Sequence, residues 1–236
     1  MKKLSLLTGF LLVAGIPASA ALYSYTNTSG FANGGTILDG NASPWSDTRT
    51  ISELTGLTIT GVSVRLNLSG GYNGDLYGYL SHDGVLVPLM NRVGVGSADP
   101  FGYSDAGLNV KFTDEATDNL HFYQSIGGYS ITGEAPWQPD GRTNNPITSA
   151  AAAFDAAGTI NLSAFNGPNA GDDWTLVFAD VAAGGGAPTV VSWGLDIEAV
   201  PEPVNVALGV FAGVALLVQS ARTWRQRRQG VRAGCE

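Results

Sequence analysis

The stretch Thr58-Ile59-Thr60-Gly61-Val62-Ser63-Val64-Arg65-Leu66-Asn67-Leu68 decides the fold class. Val62, Val64, Leu66 and Leu68 point one way, and Ser63, Arg65 and Asn67 the other. That is a period of two, the pattern of a half-buried strand. Working outward, the glycine-rich turn 70–74 leads into Asp75 to Ser81, and His82-Asp83-Gly84 is a turn signal ahead of Val85 to Met90. Leu108 to Phe112 reads as a short strand. Trp174 to Asp180 and Val190 to Ile197 form the clearest late pair, joined by the glycine-rich stretch Ala182 to Pro188. In the first, Trp174, Leu176 and Phe178 share a face; in the second, Val191, Trp193, Leu195 and Ile197 do. Short strands and loops at this spacing predict an all-β body, a β-sandwich or jelly roll. Thr148 to Ala157 is alanine-rich and breaks the pattern, so it is expected to be an insertion between strands.

Composition agrees. The chain has 236 residues with Gly 32, Cys 1, 14% charged residues and a net charge of −8. Between Ala21 and Val200 there are one Lys and four Glu, which argues against a helical bundle. The single Cys235 excludes a disulfide scaffold, and two His with one Cys make a zinc cluster untenable. The sign of the charge argues against nucleic acid. The 19 aromatics of the 21–200 segment are too much apolar surface for a disordered chain. No cofactor is implied beyond the calcium considered below. The same segment carries five cationic side chains against 18 carboxylates, a balance of −13. The remaining positive charge sits at the two ends.

Each end reads as a membrane element. Lys2-Lys3, the apolar run Leu4 to Ile16, the helix-breaking Pro17 and the small residues Ala18-Ser19-Ala20 have the order of a secretory signal helix, cut by signal peptidase before Ala21. The alternative is an N-terminal anchor, although the apolar run is short for a span. At the other end, 204–221 is free of charge and long enough for a transmembrane helix. Arg222, Arg225, Arg227, Arg228 and Arg232 follow it and would be held on the cytoplasmic side. A buried core helix is the soluble alternative. Three segments follow: a signal peptide over 1–20, a body over 21–200 and a tail over 201–236.

The tail opens with Pro201-Glu202-Pro203, where two prolines flank a glutamate and should stand extended and accessible. Motif, apolar span and arginine cluster in that order closely resemble the PEP-CTERM tail of exported Gram-negative bacterial proteins. The resemblance implies recognition of Pro201, Glu202 and Pro203 by an exosortase, a transient stay in the membrane, and removal of the tail in bacteria that make exopolysaccharide. A plain single-span anchor with incidental prolines is the competing reading. Cys235 would leave with the tail.

The body resembles a second family. Asn73-Gly74-Asp75-Leu76 with Tyr79-Leu80 and Asp83-Gly84, then Phe112 to Ala116, Leu162 to Gly167, Gly171 to Asp180 and Ser192 to Leu195 are similar in order and spacing to the P (Homo B) domain of subtilisin-like proprotein convertases. The resemblance covers about Thr48 to Glu198 and implies a jelly roll of about eight strands. The P domain is the non-catalytic partner, and its protease domain has no counterpart here. A triad could recruit only His82 or His121, and no Ser lies in a nucleophile-elbow context. His82 is expected to be an exposed turn residue, and His121 a structural hydrogen-bonder beside aromatics. The chain is therefore expected not to be an enzyme.

Two binding chemistries compete with blander readings. Asp75, Asp114, Asp172 and Asp180, at strand ends or in loops, are candidate calcium ligands, since Ca2+ takes several oxygens from carboxylates, amides and carbonyls; otherwise they are solvated loop carboxylates. Tyr77 and Trp137 are candidate glycan contacts, with Tyr72, Tyr79, Trp45 and Tyr103 as further aromatics; otherwise each fills core or anchors a loop. Three functions remain: a non-catalytic surface or matrix protein of the envelope or exopolysaccharide, a carbohydrate-binding module, and an accessory P-domain of a subtilisin-like protease system. The first is the expectation carried forward.

Overall fold

The computed structural model describes residues 19–202 and 211–224. Among the described residues nine strands are present: β1 (Ala21–Asn27), β2 (Asn41–Thr50), β3 (Leu57–Ser69), β4 (Leu76–His82), β5 (Val85–Asn91), β6 (Leu108–Phe112), β7 (Ala135–Trp137), β8 (Asp173–Asp180) and β9 (Thr189–Pro201). They form a five-stranded sheet in the order β1-β9-β3-β6-β7 and a four-stranded sheet in the order β2-β8-β4-β5. Every pairing is antiparallel except β6 with β7.

The alternation expected from sequence builds the core. Val62, Val64, Leu66 and Leu68 of β3 are buried, as are Trp174, Leu176 and Phe178 of β8 and Trp193, Leu195 and Ile197 of β9. These side chains belong to one cluster fed by both sheets, so the two sheets make a sandwich. The Trp193 indole N–H crosses it, donating to Asp47 Oδ2 of β2 at 2.7 Å. Gly78 of β4 lies opposite Phe178, and a Cβ there would fall inside the Phe178 ring; the close approach requires glycine.

Several expectations change. Val191 is not on the inner face of its strand: it is 43% exposed, and Val190 is buried instead. The register of β3 against β9 slips between Asn67 and Leu68, where Ser192 and Val190 are the partners, so Val191 is the extra residue of a β-bulge and turns outward. β1, β2 and β7 bring the count to nine rather than about eight. The alanine-rich segment is an insertion between strands as expected: between β7 and β8 it makes a short 3-10 turn, Ala151–Asp155, that seats Phe154 in the interior.

Ala20–Glu202 forms one compact unit. Of the remainder, a helix over 211–224 is described. It contains part of the span expected over 204–221; the first seven residues of that span lie outside the described residues, as does nearly all of the expected signal helix over 1–20. Among the described residues no helix is long and apolar enough to cross a membrane.

Candidate functional site

The structure brings together two of the four candidate calcium residues. Asp75 closes a 3-10 turn, Asn73–Asp75, that feeds β4, and Asp180 is the last residue of β8. β4 and β8 pair so that Leu76 faces Asp180, and the Val181 N–H donates to the Asp75 carbonyl at 2.9 Å. Asp180 is fully buried. Its Oδ1 accepts from the Gly40 and Ala182 N–H groups at 3.4 and 3.3 Å, while its Oδ2 has no hydrogen-bond partner. The buried Asn73 Oδ1 has none either; the amide's Nδ2 donates to the Gly107 carbonyl and the Tyr123 hydroxyl. Burial pushes the Asp180 carboxyl up to about 6; the two N–H bonds oppose this, and the charges of Asp75 and Asp39 add to it. Burial also raises Asp75, with Arg92 opposing and Asp39 adding. Asp39, Asn73 and Arg92 are not among the candidate ligands read from sequence, because only the fold carries them to the β4–β8 corner.

The other two candidates are engaged elsewhere. Asp114 accepts from the Leu162 and Ser163 N–H groups at 2.9 and 2.7 Å and so pins the 3-10 turn Leu162–Phe165. Asp172 Oδ1 accepts from the Asp173 N–H at 3.0 Å. Among the described residues there is no group of three or more His, Cys, Asp or Glu that could hold a metal ion.

Of the glycan candidates, Tyr77 is on an outer face and Trp137 is not. Tyr77 and Tyr79 project from the outer side of β4, with ring centroids 5.6 Å apart. They line a groove of about 230 Å3 with Val177, Ala179, Pro146 and Ile147. Burial, then the neighbouring Tyr79, raises the Tyr77 hydroxyl above its ordinary value. Trp137 is only 4% exposed, and its indole N–H donates to the Ser130 carbonyl at 2.8 Å. It is a core residue of β7 with no open face for a sugar, because the Pro-rich segment around it docks beside β6. Trp45 is likewise buried, its N–H donating to the Ala32 carbonyl.

The two histidines are both interior. His121 bears out its reading: it is fully buried, with Nδ1 2.7 Å from Asp140 Oδ2 and Nε2 2.9 Å from the Val95 carbonyl. His82 does not. The turn begins one residue later, and His82 ends β4 on the same face as Leu76 and Leu80. Its ring stacks on Trp174 at 3.9 Å, and its nitrogens lie 3.0 and 2.9 Å from the Asp173 and Asn169 carbonyls. Each imidazole spends both ring nitrogens on the interior.

A polar groove of about 490 Å3 lies on the outer face of the five-stranded sheet, where Lys111, Asp196 and Glu198 meet Asp114 and Glu115. Asp196 anchors its floor: Arg65 Nη1 and Lys111 Nζ each approach within 3.0 Å, and the Ser24 hydroxyl donates at 2.8 Å. Burial alone would raise the Asp196 carboxyl, but the bonds from Ser24 and Lys111 and the charges of Arg65 and Lys111 hold it below its ordinary 3.8. A carboxyl depressed in the folded state adds stability above its unfolded value and loses it as pH falls through the folded one. Asp196→Asn should therefore destabilise the protein at neutral pH by about 1–2 kcal/mol. That gap should close as acid unfolding is followed below pH 3.8. A gap independent of pH in urea titrations would show that the charge is not what stabilises.

The processing residues divide at the edges of the described regions. Ala20 and Ala21 are exposed, and β1 starts at Ala21; Ala18 lies outside the described residues. Pro201 is not free of the sheet: it is the last residue of β9, opposite Leu57, and the Glu202 N–H donates to the Gly56 carbonyl at 3.3 Å. A strand's terminal proline is tolerated because the ladder needs no donor beyond it. Pro203, Arg225, Arg227 and Arg228 lie outside the described residues, and Arg222 is exposed in the helix over 211–224.

No protein-family model matches the chain, and no curated protein matches it. Among solved structures it is similar to a chain in the crystal structure of the Aeromonas sobria serine protease with its chaperone, with a TM-score of 0.42 and 16% identity over 77% of this chain and 27% of that one. It is similar also to the serine protease of Aeromonas sobria crystallised by itself, with a TM-score of 0.42 and 17% identity over 76% of this chain and 27% of that one. The chain thus spans about a quarter of the length of those structures. Similarity at that level leaves the fold to rest on the strand order itself.

Proposed function

We propose that this chain is an exported, non-catalytic β module of the bacterial surface or extracellular matrix, released by signal peptidase and sorted by an exosortase through a PEP-CTERM tail. One observation carries the reading: Pro201-Glu202-Pro203, an apolar run and an arginine cluster follow the β unit in that order. Two structural features favour it. Phe211, Leu216, Leu217, Val218 and Trp224 are exposed on the helix over 211–224, apolar surface suited to lipid rather than water. Cuts before Ala21 and at the proline motif fall at the outer ends of β1 and β9, so both strands keep their ladders after processing.

The matrix contact of this module is the groove of Tyr77 and Tyr79. Sugars stack their C–H faces on aromatic rings, and this pair offers two on an outer sheet face. The resemblance of the body to the P domain fits a non-catalytic partner of this kind.

The test has two arms. Intact mass and fractionation are compared in the host with and without its exosortase. The processed chain should leave the membrane only when the exosortase is present, and an unchanged, membrane-retained full-length chain in both would refute sorting. Tyr77→Ala should weaken retention on the host's exopolysaccharide about tenfold, the value of one aromatic contact of ~1.5 kcal/mol, without altering processing. Equal retention would remove the groove from the account and leave sorting standing.

A further inference from the structure

Among the described residues three buried side-chain oxygens are left without donors; one is Asn91 Oδ1, and the other two lie at the β4–β8 corner. Asn73 Oδ1 and Asp180 Oδ2 are both buried and unpartnered, one at the start of the turn that ends in Asp75 and the other at the end of the strand paired with β4. A buried acceptor left unmade costs about 1–3 kcal/mol, and more when it is charged. The Gly40 and Ala182 N–H groups both bond to Asp180 Oδ1, and Oδ2 has no donor.

Charge points the same way. Asp39, Asp75 and Asp180 are close enough to act on one another, and the Arg92 guanidinium beside Asp75 is the cation acting on that group. The free atoms are all oxygens: an amide carbonyl and carboxylates, with no nitrogen or sulfur among them. That is the donor set of a hard cation, and the mixture of neutral and charged oxygens at irregular positions suits calcium better than magnesium, which demands near-octahedral geometry and keeps its waters. Two carboxylates with an amide oxygen fall below the size of a clustered carboxylate site, and water would complete the shell. Asp75, 8% exposed, leaves a path to solvent.

We propose that Asn73 Oδ1, the Asp75 carboxylate and Asp180 Oδ2 form a calcium site that ties the Asn73–Asp75 turn to the end of β8. The ion would fix the loops 38–40 and 181–186, whose Gly40, Ala182 and Gly184 N–H groups already bond to Asp180 and Asp39. The inference stands apart from sorting, which involves none of these residues.

The test is calorimetric titration of CaCl2 into the detergent-solubilised full chain after chelator treatment, with melting followed in parallel. One calcium per chain should bind, the melting temperature should rise by several degrees, and chelator should reverse the rise; magnesium should produce a smaller one. Asp75→Asn should weaken calcium binding at least about tenfold, as expected for loss of a charged ligand. Asp180→Asn should abolish the calcium response while melting no lower than the calcium-free wild type, because it removes an unpaired buried charge. Asp114→Asn should leave the response intact. The absence of heat and of any melting shift in the wild type at millimolar calcium overturns the site and leaves Asp180 as a carboxyl that holds a proton. A full response in both Asp75→Asn and Asp180→Asn, or its loss in Asp114→Asn alone, overturns it equally. If Asp180→Asn does not fold, Asn73→Ala and Asp75→Asn decide in its place: binding by both at wild-type strength sinks the assignment.

Discussion

Asp140→Ala is expected to destabilise the protein by about 3–5 kcal/mol, the cost of removing one partner from a buried ion pair. Asp140 and Arg142 are both buried, at 0% and 2% exposure, and Arg142 Nη1 reaches Asp140 Oδ1 at 3.1 Å. The other carboxylate oxygen accepts from the Asn91 N–H at 3.1 Å and meets His121 Nδ1 at 2.7 Å. Arg142 also donates to the Phe154 carbonyl at 2.9 Å and lies 4.8 Å over the Phe122 ring. One carboxylate thus holds together β5, the turn carrying His121 and the segment leading to the alanine-rich insertion. Without it a guanidinium is left buried and uncompensated, and the Asn91 N–H loses its acceptor. Asp140→Asn separates shape from charge: it fills the same space, so a cost close to that of alanine in urea unfolding assigns the effect to the ion pair. A cost under about 1 kcal/mol for both would mean that water enters and solvates Arg142, contrary to its burial.

That network shows where sequence reading stops. β3, β8 and β9 are legible because each holds an unbroken alternating run, Val62 to Leu68, Trp174 to Phe178 and Trp193 to Ile197, and alternation survives any tertiary context that leaves one sheet face wet. β1 hides its pattern by exposing Leu22 and keeping Tyr23 and Tyr25 only half-buried. β2 carries Pro44 and a register shift between Asn41 and Trp45, tolerable at a sheet edge and unreadable as a strand. Val191 turns outward because one bulge inverts the face of every residue beyond it on one side. Asp83-Gly84 is a strong turn signal that masks His82, yet the series Leu76, Gly78, Leu80, His82 runs inward to its end. The candidate calcium residues fared unevenly for a topological reason. Asp75 immediately precedes β4 and Asp180 ends β8, and no local pattern reveals that these two strands pair. Asp114 lies two residues beyond β6 and serves instead to pin a turn.

The second large effect is expected at Trp174. Trp174→Ala should cost about 3–5 kcal/mol, as for other buried aromatic-to-alanine changes. The indole is fully buried, stacks on His82 with planes 4° apart, meets Phe165 edge-on at 5.2 Å and donates its N–H to the Ala170 carbonyl at 3.3 Å. It lies where the loop 165–171, the end of β4 and the start of β8 converge, so its removal opens a cavity that three separate segments would have to close. Trp174→Phe keeps an aromatic face for His82 and should recover most of the loss. His82→Ala should cost less than Trp174→Ala, because His82 holds two loop carbonyls and contributes less buried apolar surface. The double variant should then be destabilised by less than the sum of the single changes, since neighbours that share a contact couple by about 0.5–3 kcal/mol. Strict additivity in urea unfolding would mean that the stacked pair is a packing coincidence, and that His82 is held by its two carbonyl partners alone.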